Sequence, residues 1–284
     1  MSPTRARRLG ATVGVLILLI AAAVWLVARD DRTRVLTGKD AAVPASARGQ
    51  AADWDEQGVD GIYGVDLSLW DHGQDDEPID FEALRAQGVR FAFIKTSDSH
   101  PRADAQAQDW SSEDVPAAKA AGIDVGYYQY AVPTANTDEL TDQANELATV
   151  ISERVGELEQ GDLPVVLDLE EAPDTLTRAE LTRFATTWLQ RAEDLTGRAP
   201  LLYSNTDFLR TRLLPTGELT KYRLWQADYR KGSKPPTVPG WPADATAFWQ
   251  FSSAGRLDGK PGTLTDLNLF LGTEAEYERL AGWR

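Results

Sequence analysis

LPVVLDLE, residues 163–170, is the stretch on which the reading of this chain turns. It is a short apolar run with two valines, Val165 and Val166, and has the length and content of a buried β-strand. It ends in two carboxylates, Asp168 and Glu170, with Leu169 between them. Side chains alternate along a strand, so the two acids project on one side and Leu169 on the other. Acids crowded in this way raise each other's pKa, so one can hold a proton near neutral pH while the other stays charged. That division suits cleavage of a glycosidic bond. Acids also cap strand ends and open loops without any chemistry, and spacing alone does not choose between the two readings.

On either side of this stretch, apolar runs alternate with amphipathic ones. Strands are expected at 62–67, 89–96, 124–131, 164–170, 200–204, 223–229, 247–251 and 264–270. Helices are expected at 81–87, from 111 to the stop at Gly122, at 137–155, at 177–195 and at 206–214. Thr177 is placed to cap the fourth of these helices, and Gly197 to stop it. The alternation predicts a parallel sheet, and eight strands over about 220 residues predict an α/β, TIM-like barrel whose last helices are reduced. An open doubly wound sheet is the alternative, but no Gly-rich phosphate loop follows the first strand. A barrel keeps its chemistry at the C-terminal ends of its strands. Those ends carry Asp66; Lys95 and Asp98; Tyr128 and Tyr130; Asp168 and Glu170; Tyr203; Trp225, Gln226 and Asp228; Trp249 and Gln250; Asp266 and Asn268. Any one of these aromatics is most simply a core residue. As a set, they read as a cleft.

Composition narrows the function. The 284 residues carry a net charge of −15, which offers no basic stripe to a nucleic acid. There is no Cys, hence no disulfide and no thiol nucleophile. The two histidines, His72 and His100, sit in polar contexts and read as solvated loop residues, so neither a His-based metal site nor a Ser-His-Asp triad is expected. Catalysis must rest on carboxylates. Nine Trp and eight Tyr supply flat rings of the kind that meet pyranose faces.

The N-terminus reads as a membrane address. Arg5, Arg7 and Arg8 form a basic segment, residues 1–10, ahead of an uncharged apolar run at 11–28. That run is near the shortest that spans a bilayer, Trp25 is placed as an interfacial anchor, and Leu26-Val27-Ala28 makes a poor cleavage site. A plasma-membrane signal anchor with a cytoplasmic N-terminus is expected, and secretion after signal cleavage is the alternative. Arg29, Arg32 and Arg34 beyond the run weaken the charge contrast that sets orientation. Residues 1–35 hold six basic and two acidic groups, which leaves −19 for the remainder. Residues 29–60 read as a flexible linker and 61–284 as the folded barrel.

The chain resembles glycoside hydrolase family 25, the Chalaropsis-type lysozymes, which are N-acetylmuramidases. The matching pieces are GVDLS (64–68), IDFEALRAQGVRFAFIKTSD (79–98), AAKAAGIDVGYYQYAVP (117–133), LPVVLDLEE (163–171), LTGRAPLLYSN (195–205), YRLWQADY (222–229), FWQFSSAGRLDG (248–259) and LTDLNLF (264–270), in family order. The resemblance implies a (β/α)5(β)3 barrel acting on the β-1,4 bond between N-acetylmuramic acid and N-acetylglucosamine, with no metal or organic cofactor. It places the catalytic acids on Asp66, Asp168, Glu170 and Asp266. Glu170 becomes the general acid and Asp168 its charged partner, acting on the anomeric carbon or on the 2-acetamido group. Tyr128, Tyr203, Trp225 and Gln250 are expected to bind or pack against sugar, with Lys95, Asp98, Tyr130, Gln226 and Asp228 lining the same cleft. The expected partner is a peptidoglycan strand, and oligomeric state is left open.

Some cleft positions depart from the family's pattern. A turn that is often His-His-Gln-Gly-like is here Leu69-Trp70-Asp71-His72-Gly73, followed by an acidic insertion through Asp75, Asp76 and Glu77. The usual Ala-Thr-Glu-Gly after Lys95 is Thr96-Ser97-Asp98-Ser99, and the common Tyr-His-Phe is Tyr128-Gln129-Tyr130. These changes are expected to line the cleft, and they motivate a second reading, a non-catalytic glycan-binding protein on the same barrel. A family 18 chitinase would need acids at Leu163 and Val166, and neither is one.

Overall fold

The computed structural model describes residues 61–73, 77–230, 232–255, 257–261 and 264–283. The expected membrane segment and linker, and Asp75 and Asp76, lie outside the described residues. Among the described residues no helix is long and apolar enough to cross a membrane.

Eight strands close into a barrel in chain order. They are β1 (Ile62–Leu67), β2 (Phe91–Asp98), β3 (Asp124–Tyr130), β4 (Asp162–Asp168), β5 (Leu201–Asn205), β6 (Leu224–Ala227), β7 (Thr246–Gly255) and β8 (Thr265–Phe270). Neighbours from β1 to β7 pair in parallel. β8 is antiparallel to both β7 and β1, so it presents its N-terminal end where the other strands present their C-terminal ends. The expected eight-stranded α/β barrel is therefore present, with one strand reversed.

The helices are α1 (Phe81–Ala86), α2 (Pro101–Ala120), α3 (Leu140–Val155), α4 (Arg178–Thr196), α5 (Thr206–Thr211), α6 (Gly217–Thr220) and α7 (Glu274–Leu280). α4 follows its sequence signals closely. Thr177 and Glu180 form a reciprocal capping box, and Gly197 closes the helix in the left-handed conformation at φ 70°. Its Leu181, Phe184, Trp188 and Leu189 are fully buried against the barrel. α2 begins at Pro101 instead of at Ser111, because a proline at the first helical position is already set at the helical φ. α7 has no counterpart among the expected helices.

Two apolar layers result from strand alternation. Val65, Ala92, Val125, Leu167 and Leu202 face the helices. Phe91, Phe93, Val166, Leu201, Trp225, Phe248 and Phe270 fill the barrel. Phe93 stacks on Trp225 with centroids 4.3 Å apart and meets Phe248 edge-on at 5.0 Å. Two glycines make room for these rings. A Cβ on Gly64 would lie 2.4 Å from Phe91, and one on Gly126 would lie 2.3 Å from Phe93.

α7 seals the end of the barrel away from the acids. Tyr277 is fully buried, packs between Phe91 and Phe270, and donates its hydroxyl to Asp124 Oδ2 at 2.8 Å. Replacing a buried ring here leaves a cavity and removes one of the two hydrogen bonds to Asp124, whose Oδ1 still accepts from Trp283 Nε1 at 3.1 Å. Tyr277→Ala is expected to lower stability by roughly 3–5 kcal/mol, measured by urea unfolding.

Candidate active site

The reversed strand builds one side of the site. Asp66 near the end of β1 and Asp266 near the start of β8 are direct pairing partners. Asp66 Oδ2 accepts from Asn268 Nδ2 at 2.7 Å and from Gln250 Nε2 at 3.0 Å. Gln250 Nε2 also lies 3.4 Å from Asp266 Oδ2. Gln250 Oε1 accepts two phenols, Tyr203 at 2.9 Å and Tyr229 at 2.7 Å. Asn268 Oδ1 accepts from Trp225 Nε1 at 2.7 Å. An indole nitrogen only donates, so this bond turns the Asn268 amide with its NH2 toward Asp66. The chain of bonds ties five strands to one carboxylate. Burial among these groups pushes Asp66 up to about 7, and the Asp71 carboxylate adds to the rise.

β4 supplies the other side. The strand ends at Asp168, so Glu170 lies just beyond it and not within it. Leu169 N–H still donates to Tyr203 O at 3.0 Å, and its side chain is fully buried in the layer facing the helices. The expected alternation of the two acids about Leu169 therefore continues past the strand. Asp168 is buried between its pairing partners Tyr130 and Tyr203, while Glu170 is half-buried. Burial raises the Asp168 pKa well above the usual carboxylate range, Glu170 raises it further, and Lys95 opposes the rise. The family resemblance assigned the lasting charge to Asp168; burial favours a proton there in the empty cleft. Asp168 Oδ1 is buried and meets no hydrogen-bond donor among the described residues.

Other expected residues gather around this pair. Tyr128 is buried, and its hydroxyl feels Asp66, Asp168 and Asp266 together. Tyr130 donates to Glu171 Oε2 at 2.9 Å, and Lys95 Nζ sits 4.9 Å above its ring. Lys95 pairs with Asp98 Oδ2 at 2.6 Å, and Asp98 Oδ1 accepts the His100 N–H at 2.8 Å. Trp225 is 1% exposed, so it forms the floor beneath the acids.

Several expectations are corrected. Gln226 does not line the cleft. Trp225 points into the barrel, so its neighbour points out, where Gln226 bonds Thr206 at 2.8 Å, Pro236 O at 3.0 Å and Thr246 at 2.7 Å. Asp228 is likewise held outside, by Thr206 at 2.5 Å and by Arg230. Gln129 is fully buried in the helical layer, bridging Trp188 and Ser97 at 2.7 Å each. His72 is fully buried instead of solvated. Sequence reasoning gave no role to Tyr229 or Asn268, although Asn268 stood at an expected strand end. Strand parity was the signal: Asn268 shares a face with Asp266.

An acid titrating near 7 in the folded state and near 3.9 when unfolded makes stability depend on pH. Between those values the folded chain binds the extra proton, so stability falls as pH rises from about 4 to about 7. The slope for one group is at most about 1.4 kcal/mol per pH unit. Urea melts at several pH values are expected to show this loss in the native chain and a smaller one in Asp66→Asn.

Residues 65–260 match the family described as Glycosyl hydrolases family 25. An Escherichia coli O157:H7 protein, "Uncharacterized protein YegX", is 32% identical over 223 residues, covering 76% of this chain and 72% of the relative. The fold superposes on the bacterial lysozyme from Streptomyces coelicolor with a TM-score of 0.63 at 25% identity, covering 78% of this chain and 98% of that one. It also superposes on the Clostridium perfringens spore cortex lytic enzyme SleM with a TM-score of 0.61 at 26% identity, covering 76% of this chain and 69% of that one. With its acids gathered at one mouth of the barrel and most of its length matched, this chain belongs to glycosyl hydrolase family 25.

Proposed function

We propose that this chain is a peptidoglycan hydrolase that cleaves the β-1,4 bond between N-acetylmuramic acid and N-acetylglucosamine. The observation that carries this reading is the Asp168 and Glu170 pair at the end of β4, set above an aromatic floor in a family 25 barrel. Likeness to a bacterial lysozyme supports the substrate class. Glu170, the more exposed of the two, is assigned as the general acid that protonates the leaving sugar oxygen. Asp168 Oδ1 is the oxygen left open to the sugar, as an acceptor for its acetamido N–H or, once Asp168 is ionised, facing its anomeric carbon. Asp66 and Asp266, with the amides of Gln250 and Asn268 that donate to them, hold the hydrogen bonds around that position. Tyr128, Tyr130 and Tyr203 offer the nearest rings and hydroxyls, and Lys95 with Asp98 closes one side.

The test is chemical. The full-length chain is incubated with purified peptidoglycan, new reducing ends are measured, and the terminal sugar is identified by mass spectrometry. Ends bearing reducing N-acetylmuramic acid are expected. Glu170→Gln is expected to lower kcat by a factor of about 10² or more. Binding without release would make the chain a glycan-binding protein instead, and a near-normal rate in the variant would remove Glu170 from the acid role.

The apolar run at 11–28 supports a membrane tether that keeps the barrel at the outer face of the plasma membrane. The role is then remodelling of the cell's own wall. Fractionation with N-terminal mass analysis is expected to find the intact N-terminus in the membrane. A chain beginning beyond residue 28 in the medium would make it a secreted enzyme.

A further inference from the structure

The C-terminal ends of β2, β3 and β4 are laced side by side at the mouth of the barrel. Their registers set Asp98 beside Tyr130 and Tyr130 beside Asp168. Earlier in the same strands, Phe93, Tyr128 and Val166 belong to the layer that fills the barrel. Side chains two positions apart on a strand share a face. Lys95, Tyr130 and Asp168 therefore rise from that face at one rim. Backbone bonds carry the ladder past the strands: Ser99 N–H donates to Tyr130 O, and Ala131 N–H to Asp168 O, each at 2.9 Å.

Lys95 is the cation of this rim, and it is held from two sides. Its Nζ pairs with Asp98 Oδ2 at 2.6 Å. The other Asp98 oxygen is occupied, because Oδ1 accepts the His100 N–H at 2.8 Å and lies 3.1 Å from His100 Nδ1. On the second side, Lys95 Nζ stands 4.9 Å from the centre of the Tyr130 ring, within reach of its negative face.

The ring is fixed in turn at its far end. Tyr130 donates its hydroxyl to Glu171 Oε2 at 2.9 Å. A phenol donating to a carboxylate makes a charge-assisted bond. Burial and the surrounding carboxylates hold the phenol above its usual range, so it keeps the hydrogen that it donates. The hydroxyl belongs to this sequence, since the family's common Tyr-His-Phe carries no hydroxyl at this position. Glu171 itself is exposed and has no part in the cleavage step described above.

We propose that Glu171 is a positioning residue: it anchors the Tyr130 ring, and the ring keeps the Lys95 ammonium facing the Asp168 carboxyl. This rests on the peptidoglycan reading above and adds to it a residue that acts through others. The groups facing Asp168 are Glu170 beyond β4, Lys95 and Asp98 on β2, Asp66 on β1, Tyr130 on β3 and Tyr203 on β5. A cation held close draws the proton off Asp168, whereas a cation set loose lets the carboxylates around it keep that proton in place.

The experiment compares the full-length chain in mild detergent with Tyr130→Phe, Glu171→Gln and Glu171→Ala. One readout is the acid limb of the pH–rate profile for reducing-end release. The other is a carboxyl-carbon NMR titration of Asp168, identified by its absence from Asp168→Asn. It is run in a Glu170→Gln background, where Asp168 titrates without its coupled neighbour. Tyr130→Phe keeps the ring and the Glu171 charge, and is expected to raise the Asp168 titration by about half a pH unit. Glu171→Gln keeps an acceptor for the phenol and removes a negative charge, so the titration is expected to stay or fall. Glu171→Ala loses the acceptor as well, and is expected to titrate about half a unit above Glu171→Gln. Combined with Tyr130→Phe, the two Glu171 variants are expected to coincide, because the bond that distinguishes them is gone. Coincidence in the native background overturns the proposal, since Glu171 then acts through its charge alone. So does an unmoved titration in Tyr130→Phe, and so does a lowered Tm without a shift, which marks a structural role. If the native chain releases no ends, the hydrolase reading fails, while the NMR titration still decides the clamp.

Discussion

The antiparallel insertion of β8 between β7 and β1 is the constraint on which the rest of the molecule depends. A parallel eighth strand would carry Asp266 to the far end of the barrel. Reversed, it sets Asp266 opposite Asp66 and Asn268 opposite Gln250. Two carboxylates are then forced together on adjacent strands, and the side chains that relieve the crowding come from the same ladder. Asn268 and Gln250 donate to Asp66, and three aromatic residues, Trp225, Tyr203 and Tyr229, orient the two amides. Each member has its hydrogen-bonding capacity directed by the next, so the position of the first carboxylate is set by residues from β5 onward.

Beneath this polar layer the barrel is apolar. Phe91, Phe93, Phe248 and Phe270 fill it, and Trp225 lies between that floor and the acids. A low-dielectric floor under several carboxylates has one electrostatic outcome: protons stay on acids that would lose them in water. Asp66 and Asp168 both show it. The cleft thus combines a proton reservoir in its depths with a more exposed acid, Glu170, at its lip. Lys95 at the edge of the cluster is the cation that tempers the build-up of charge at Asp168.

Much of this was legible in the sequence, because its signals were local. Apolar runs located all eight strands, and Thr177 with Gly197 marked α4 at both ends. The direction of β8 was not read, although a signal existed. Only residues 256–264 connect β7 to β8, too few for the crossover that a parallel strand requires. The misplacement of Gln226 came from treating every polar residue at a strand end as cleft-facing, when its parity with Trp225 puts it outside. The burial of His72 was beyond local reading, since Asp114 is 42 positions away and Trp110 belongs to the same distant helix. Burial of Asp168 overrode the expectation that it stays charged, because the surroundings of a carboxylate are a tertiary property.

The reversed closing strand also bears on how the chain comes to life. β8 follows every other strand in the sequence, and α7, which seals the opposite mouth, follows β8. A nascent chain that has made β1 to β7 carries Asp168 and Glu170 but has an open barrel, an exposed phenylalanine floor, and no Asn268 to hold Asp66. Its acids are present without their field. The complete constellation comes into being only when β8 slots in between β7 and β1. That order makes closure of the barrel a condition for a complete site.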